Sequence, residues 1–285
     1  MEKLTSILAI VPTELDVPLL LHKTVALARC FGARVEMLAW DTEVTRTIER
    51  LCQEHHYTEV SISSAHRGAA PLHKRIMRRV AQLHPDLLVK TPAGPRSLRR
   101  FTLDANDWEL ANSCPVPLLL VRPQPWSEAL RFAVAVDVAD SDSAELARSL
   151  LHTAGFVALG CQGVLDVLYS ERETEDETLR MERAVRLAQL VREFHVGCER
   201  IEMFAGDPEI RLPPLVAARR YDVLVLGGQS RRAGLAQLVP GTVSRMMEAT
   251  ESDVLLVRAA GKAEAEFAAL TPRAVNAPAT AIPAS

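Results

Sequence analysis

Short aliphatic runs alternate with amphipathic segments along most of the chain. The aliphatic runs predict strands over residues 6–11, 34–39, 59–63, 86–90 and 117–122, and again over 131–137, 164–169, 200–204, 222–226 and 253–258. Between them, apolar positions at helical spacing predict helices over 18–31, 44–55, 72–83, 143–153, 177–194 and 214–220. Pro18 suits a first helical turn, where its missing N–H costs nothing, and Pro213-Pro214 is read as another helix start. Strand and helix alternating in this way predict an α/β architecture with parallel sheet covered on both faces.

The pattern occurs twice. A shift of 136 places Asp86 on Asp222 and Arg122 on Arg258, and no gap is needed between those marks. There "DLLVKTPAGPRSLRRFTLDANDWELANSCPVPLLLVR" overlays "DVLVLGGQSRRAGLAQLVPGTVSRMMEATESDVLLVR". Equal spacing with matching strand ends argues for a tandem duplication. Pro123, Pro125 and Ser127 of "PQPWSEA" mark a linker, which divides the chain into a first domain over 1–124 and a second over 128–260. The Ala- and Pro-rich stretch 261–285 lacks core periodicity and is expected to be disordered.

Composition changes this picture little. The 285 residues are 48% hydrophobic and carry a formal net charge of -3, so global charge gives no reason to expect nucleic acid. A basic run over 74–79 and an acidic one over 171–182 read as solvated helix or loop faces. No apolar run is long enough for a membrane span, and the N-terminal one is too short for a signal peptide. The five scattered cysteines, without a Cys-x-x-Cys pair, read as reduced thiols of a cytosolic protein. The histidines show no metal-ligand spacing, and the methionines and Trp40, Trp108 and Trp126 read as core or interface packing.

Candidate chemistry lies in the second half. Gly228, Gly234 and the pair Gly241-Thr242 follow its fourth strand, and neither a Walker-type loop nor a G-x-G-x-x-G turn is present. With strand order 3-2-1-4-5, the switch point lies between the first and fourth strands, where open parallel sheets bind ligands. Asp137 ends the first strand of this half and would face the same crevice as the glycines. Thr242 could cap a helix whose free N–H groups attract an anion. Glycines serving only left-handed turns are the competing explanation.

These residues carry a family resemblance. The chain over about 4–259 resembles the universal stress protein family, most closely its tandem, two-domain (UspE-type) members. The family loop is Gly-x-x-Gly, nine further residues, then Gly-[Ser/Thr]; here Gly228, Arg231 and Gly241-Thr242 fall on that frame, and Gly234 on a further frequent glycine. The resemblance implies two tandem Rossmann-like domains of the adenine nucleotide alpha hydrolase-like kind, each with a five-stranded parallel sheet. It implies ATP or another adenine nucleotide held by Asp137, by the position near Leu168, and by Gly228, Arg231, Gly234, Gly241, Thr242 and Val243. Gly206 to Pro208 resembles the family's Gly-x-Pro, and "ANDWEL" the matching stretch of the first domain in two-domain members.

Two departures matter. Arg231 replaces a glycine, so its side chain either fills the phosphate pocket or pairs with phosphate. In the first half Pro92, Pro95, Leu98 and Ala105 occupy the glycine frame and Pro12 stands in place of Asp137, so that half is not expected to cradle phosphate. The implied role is cytoplasmic and tied to stress response, through ligand-dependent interaction rather than turnover. A slow ATP hydrolase and a scaffold without nucleotide are the alternatives. The two aliphatic fifth strands are expected to pair within the chain, with a homodimer as a further arrangement, and no membrane or nucleic-acid partner is expected.

Overall fold

The computed structural model describes residues 1, 3–13, 16–65, 69–92, 96–97, 100–101, 103–138, 144–171, 176–193, 197–228, 246–247 and 249–259. In chain order the first half comprises β1 (Ser6–Val11), α1 (Val17–Phe31), β2 (Arg34–Ala39), α2 (Thr42–Glu54), β3 (Val60–Ser64), α3 (Leu72–Leu83), β4 (Leu87–Lys90), the short β5 (Arg96–Ser97) and β6 (Arg100–Phe101), α4 (Ala105–Ser113) and β7 (Leu118–Leu120). The second comprises β8 (Arg131–Ala135), α5 (Ala144–Gly160), β9 (Val164–Glu171), α6 (Glu177–Glu193), β10 (Cys198–Ala205), α7 (Pro208–Arg219), β11 (Val223–Gly227) and β12 (Asp253–Val257).

Ten strands form one sheet in the order β10-β9-β8-β11-β12-β7-β4-β1-β2-β3, while β5 and β6 pair separately. Each half contributes the order 3-2-1-4-5 that places a switch point beside its first strand. Neighbours within each half are parallel. Only the central pair differs: β12 runs antiparallel to β7, with Val254 opposite Leu120, Leu255 opposite Leu119 and Leu256 opposite Leu118.

Period-2 alternation along the strands feeds two apolar layers. One gathers Ile7, Ala9 and Val11 with Phe132, Val134 and Leu255; the other gathers Leu8 and Ile10 with Leu168, Leu224 and Val254. Both layers therefore run across the seam. Helices α1 and α5 meet over one of them, where Phe31 stacks on Phe156 at 4.9 Å between ring centroids. A Cβ at Gly160 would come within 2.1 Å of the Phe31 ring, so the absent side chain lets this contact form.

Polar groups also cross the seam. Lys23 of α1 donates to both carboxylate oxygens of Asp253 at 2.9 Å and to the Arg122 carbonyl at 3.0 Å. The backbone N–H of Arg122 and the indole N–H of Trp126 complete the shell of Asp253, at 2.6 and 2.8 Å. Burial pulls Lys23 below its ordinary pKa against the attraction of Asp253. Burial likewise pushes Asp253 up against the pull of Lys23. The arginines that follow the two central strands reach in opposite directions: Arg122 Nη2 donates to the Met247 carbonyl, and Arg258 Nη1 to the Cys114 carbonyl at 3.4 Å. These two positions are equivalent under the 136-residue shift, so the contacts are reciprocal.

Most predicted elements appear within two residues of their expected ends. Helix α4 was not expected, although "DAND" contains its signal: Asp104 and Asp107 form a capping box. Helix α7 begins at Pro208, not Pro214, because Asp207 and Pro208 supply the start and Pro213-Pro214 lie in its interior. There they withdraw two N–H groups from the helical ladder. Helix α5 continues to Gly160, seven residues beyond the predicted end at Thr153, since "AGFVALG" keeps an apolar face for the core. The stretch 261–285 lies outside the described residues.

Candidate functional site

In the second half the carboxyl ends of β8 and β11, where the sequence places the candidate crevice, belong to adjacent parallel strands. Val134 stands opposite Val225, and continuing that register brings Asp137 level with Gly228. The chain leaves β8 through Val136, whose N–H donates to the Leu168 carbonyl at 3.0 Å. Val136 and Val138 are buried, while Asp137 between them is exposed. An exposed carboxylate at this point can accept hydrogen bonds from hydroxyls of a bound sugar.

Gly228 ends the described part of the loop. Its N–H donates to the Val257 carbonyl at 2.8 Å. A Cβ here would lie 3.2 Å from Arg258 Cγ and 3.6 Å from the Ala111 carbonyl, so Gly228 also makes room for the arginine that crosses the seam. Its neighbour Gly227 admits Leu146 of α5, whose Cδ2 would lie 2.7 Å from an added Cβ. Gly227 and Gly228 therefore both meet packing demands. Arg231, Gly234, Gly241, Thr242 and Val243 lie outside the described residues.

The Leu168 side chain is fully buried in the core. Strand β9 runs on to Glu171, past the predicted end at Tyr169, so Ser170 and Glu171 stand nearer its carboxyl end. The Ser170 hydroxyl donates to the Gly206 carbonyl, and Arg180 Nε to Glu171 at 2.7 Å. Gly206 adopts φ of 110°, a conformation that L side chains rarely reach, and so turns the chain from β10 into α7. This accounts for the glycine of "GDP".

The same place in the first half is filled by the protein's own charges. Lys90, at the end of β4, and Asp107 of α4 are both wholly buried and form an ion pair. Lys90 Nζ also donates to the Thr91 carbonyl at 2.9 Å. Asp104 accepts from the Asp107 N–H at 2.7 Å, and Asp107 accepts from the Asp104 N–H at 3.2 Å. Internal carboxylates thus take two of the N–H groups at this helix start and place negative charge where a phosphate would sit. The duplication equates Lys90 with Leu226, and Asp107 with Val243. Among the described residues no group of His, Cys, Asp or Glu is placed to hold a metal ion, and no helix is long and apolar enough to cross a membrane.

A Pseudomonas aeruginosa UCBPP-PA14 protein assigned to the universal stress proteins superposes at TM-score 0.79 and 21% identity, over 94% of this chain and 98% of that one. The fold is that of the universal stress proteins. A universal stress protein of Archaeoglobus fulgidus superposes at TM-score 0.60 and 15% identity, covering 90% of this chain and 97% of that one. The cytoplasmic domain of a prokaryotic cation chloride cotransporter has it too, at TM-score 0.59 and 11% identity, over 93% and 99% of the two chains. Among curated sequences, universal stress protein E of Escherichia coli K12 is 21% identical over 191 residues, 61% of this chain and 60% of its own length. Its Haemophilus influenzae homologue is 22% identical over 195 residues, 62% of this chain and 63% of its own. The matched region spans about three fifths of those relatives. No family model matches the sequence.

Proposed function

We propose that the chain is a tandem universal stress protein with one working nucleotide site, which holds ATP or another adenine nucleotide between Asp137 and the loop from Gly228 to Val243. Its two domains, over 1–124 and 128–260, pair through their fifth strands, and the protein acts in the cytoplasmic stress response by ligand-dependent interaction. The observation that carries this is the contrast between the halves. Lys90, Asp107 and the capping box occupy the first-half position, whereas the second half has an exposed Asp137 level with Gly228.

Arg231 favours a second reading, a scaffold that has given up nucleotide, because a long side chain stands in the family's glycine frame. Calorimetric titration of the full chain with ATP tests both. Binding is expected in the parent, and Asp137→Ala is expected to weaken it by about 1–3 kcal/mol through lost hydrogen bonds to the sugar. Arg231→Gly is expected to tighten binding by clearing the pocket; weaker binding would make Arg231 a phosphate clamp instead. A parent and an Arg231→Gly variant that both ignore ATP would leave the scaffold.

A further inference from the structure

A second cleft, of about 450 Å³, opens in the other half at the carboxyl ends of β2 and β3. Leu38, Trp40, Ser63 and Ser64 line it on the strand side, and Arg75, Arg78, Arg79 and Gln82 on the side of α3. Its size falls within the range of small-molecule pockets. The sequence marks the basic run over 74–79 as a solvated face, yet three of its arginines turn toward one cavity.

Their spacing explains this and raises a physical problem. Positions 75, 78, 79 and 82 share one face of a helix, so three guanidinium groups stand side by side. Like charges at such spacing repel unless something neutralises them. Glu36 offsets one, accepting from Arg79 Nε at 2.6 Å. Among the described residues the η nitrogens of Arg79 make long contacts, 3.4 Å each, to Gln82 and Ser63. The guanidinium of Arg75 sits over the Trp40 ring, its central carbon 4.2 Å from the centroid, which holds it at the wall. The Trp40 indole N–H is buried and has no acceptor among the described residues. An indole N–H can only donate, so what it lacks is an acceptor.

We propose that this cleft binds a phosphorylated small molecule, with its phosphate oxygens on Arg75, Arg78 and Arg79 and an acceptor atom on the Trp40 indole. Guanidinium groups match phosphate geometry through paired N–H donors, and the two serine hydroxyls and the Gln82 amide can meet the rest of the molecule. The site lies at strand carboxyl ends, as ligand sites of open parallel sheets do. It is independent of the nucleotide reading, which concerns the other half.

Inorganic pyrophosphate is the probe, titrated calorimetrically into the full chain at fixed ionic strength. Arg78→Ser changes an exposed residue and should leave the fold intact; it is expected to weaken pyrophosphate binding at least about tenfold, while Gly241→Val in the other half leaves that binding in place. Trp40→Phe keeps an aromatic ring beneath Arg75 and removes the indole N–H, and is expected to weaken binding by about threefold or more, a check that does not depend on the arginine variant folding. The proposal is overturned if pyrophosphate does not bind the parent, if binding survives Arg78→Ser, or if sulfate at equal ionic strength binds equally well.

Discussion

Asp253→Asn is expected to cost about 3–5 kcal/mol of folding stability, as removing one partner of a buried ion pair does. The side chains of Lys23 and Asp253 are each 1% exposed, so the ammonium left behind cannot recover its hydration. Asparagine keeps the size of the residue but only one acceptor oxygen, so one of the Arg122 and Trp126 N–H bonds, made to different oxygens of Asp253, is lost along with the charge. Lys23→Met should cost a similar amount by stranding the carboxylate. The double variant, Lys23→Met with Asp253→Leu, should recover much of the loss, because an apolar pair needs no such compensation. Urea denaturation of the four proteins measures this. Single variants within 1 kcal/mol of the parent would mean that the pair does not tie the halves together.

Residues 128–260 expressed alone are expected to self-associate. In the full chain Val254, Leu255 and Leu256 are at most 3% exposed because β7 covers the open side of β12. Without the first half that edge presents unpaired backbone groups and an aliphatic surface. Asp253 also loses Lys23 and Trp126. Since β12 pairs antiparallel with its equivalent strand in the first half, a second copy of the fragment can take that place by the same symmetry. Light scattering distinguishes the outcomes: a dimer or larger species is expected, and a stable monomer on the order of tens of micromolar would contradict the covered-edge account.

Local pattern made most of the architecture legible. The strands at 6–11 and 34–39 appear with their predicted ends because apolar runs there stop at Pro12 and Trp40. The strand–helix repeat announces the parallel sheet, and the 136-residue shift anticipates that Arg122 and Arg258 occupy like positions. What remained hidden depends on distant partners. Lys23 reads as one more charge on α1, and nothing nearby in sequence announces a carboxylate 230 residues away. Similarly, Lys90 ends an aliphatic strand and finds Asp107 only through the folding of α4. At the candidate site, strand-end logic selects Asp137, which is exposed and level with Gly228. Strand β9 outruns its aliphatic run, so Leu168 lies within the strand and not at its end. Gly228 is a candidate ligand contact, and the seam supplies a packing reason for it as well.

The central claim is that one half, and only one, is competent for nucleotide. Native mass spectrometry of the full chain, purified gently and then incubated with ATP, tests this by counting. The account predicts a single bound adenine nucleotide per chain, abolished by Gly241→Val and unaffected by Asp107→Asn in variants that remain folded. Two nucleotides per chain, or one that survives Gly241→Val, would contradict it.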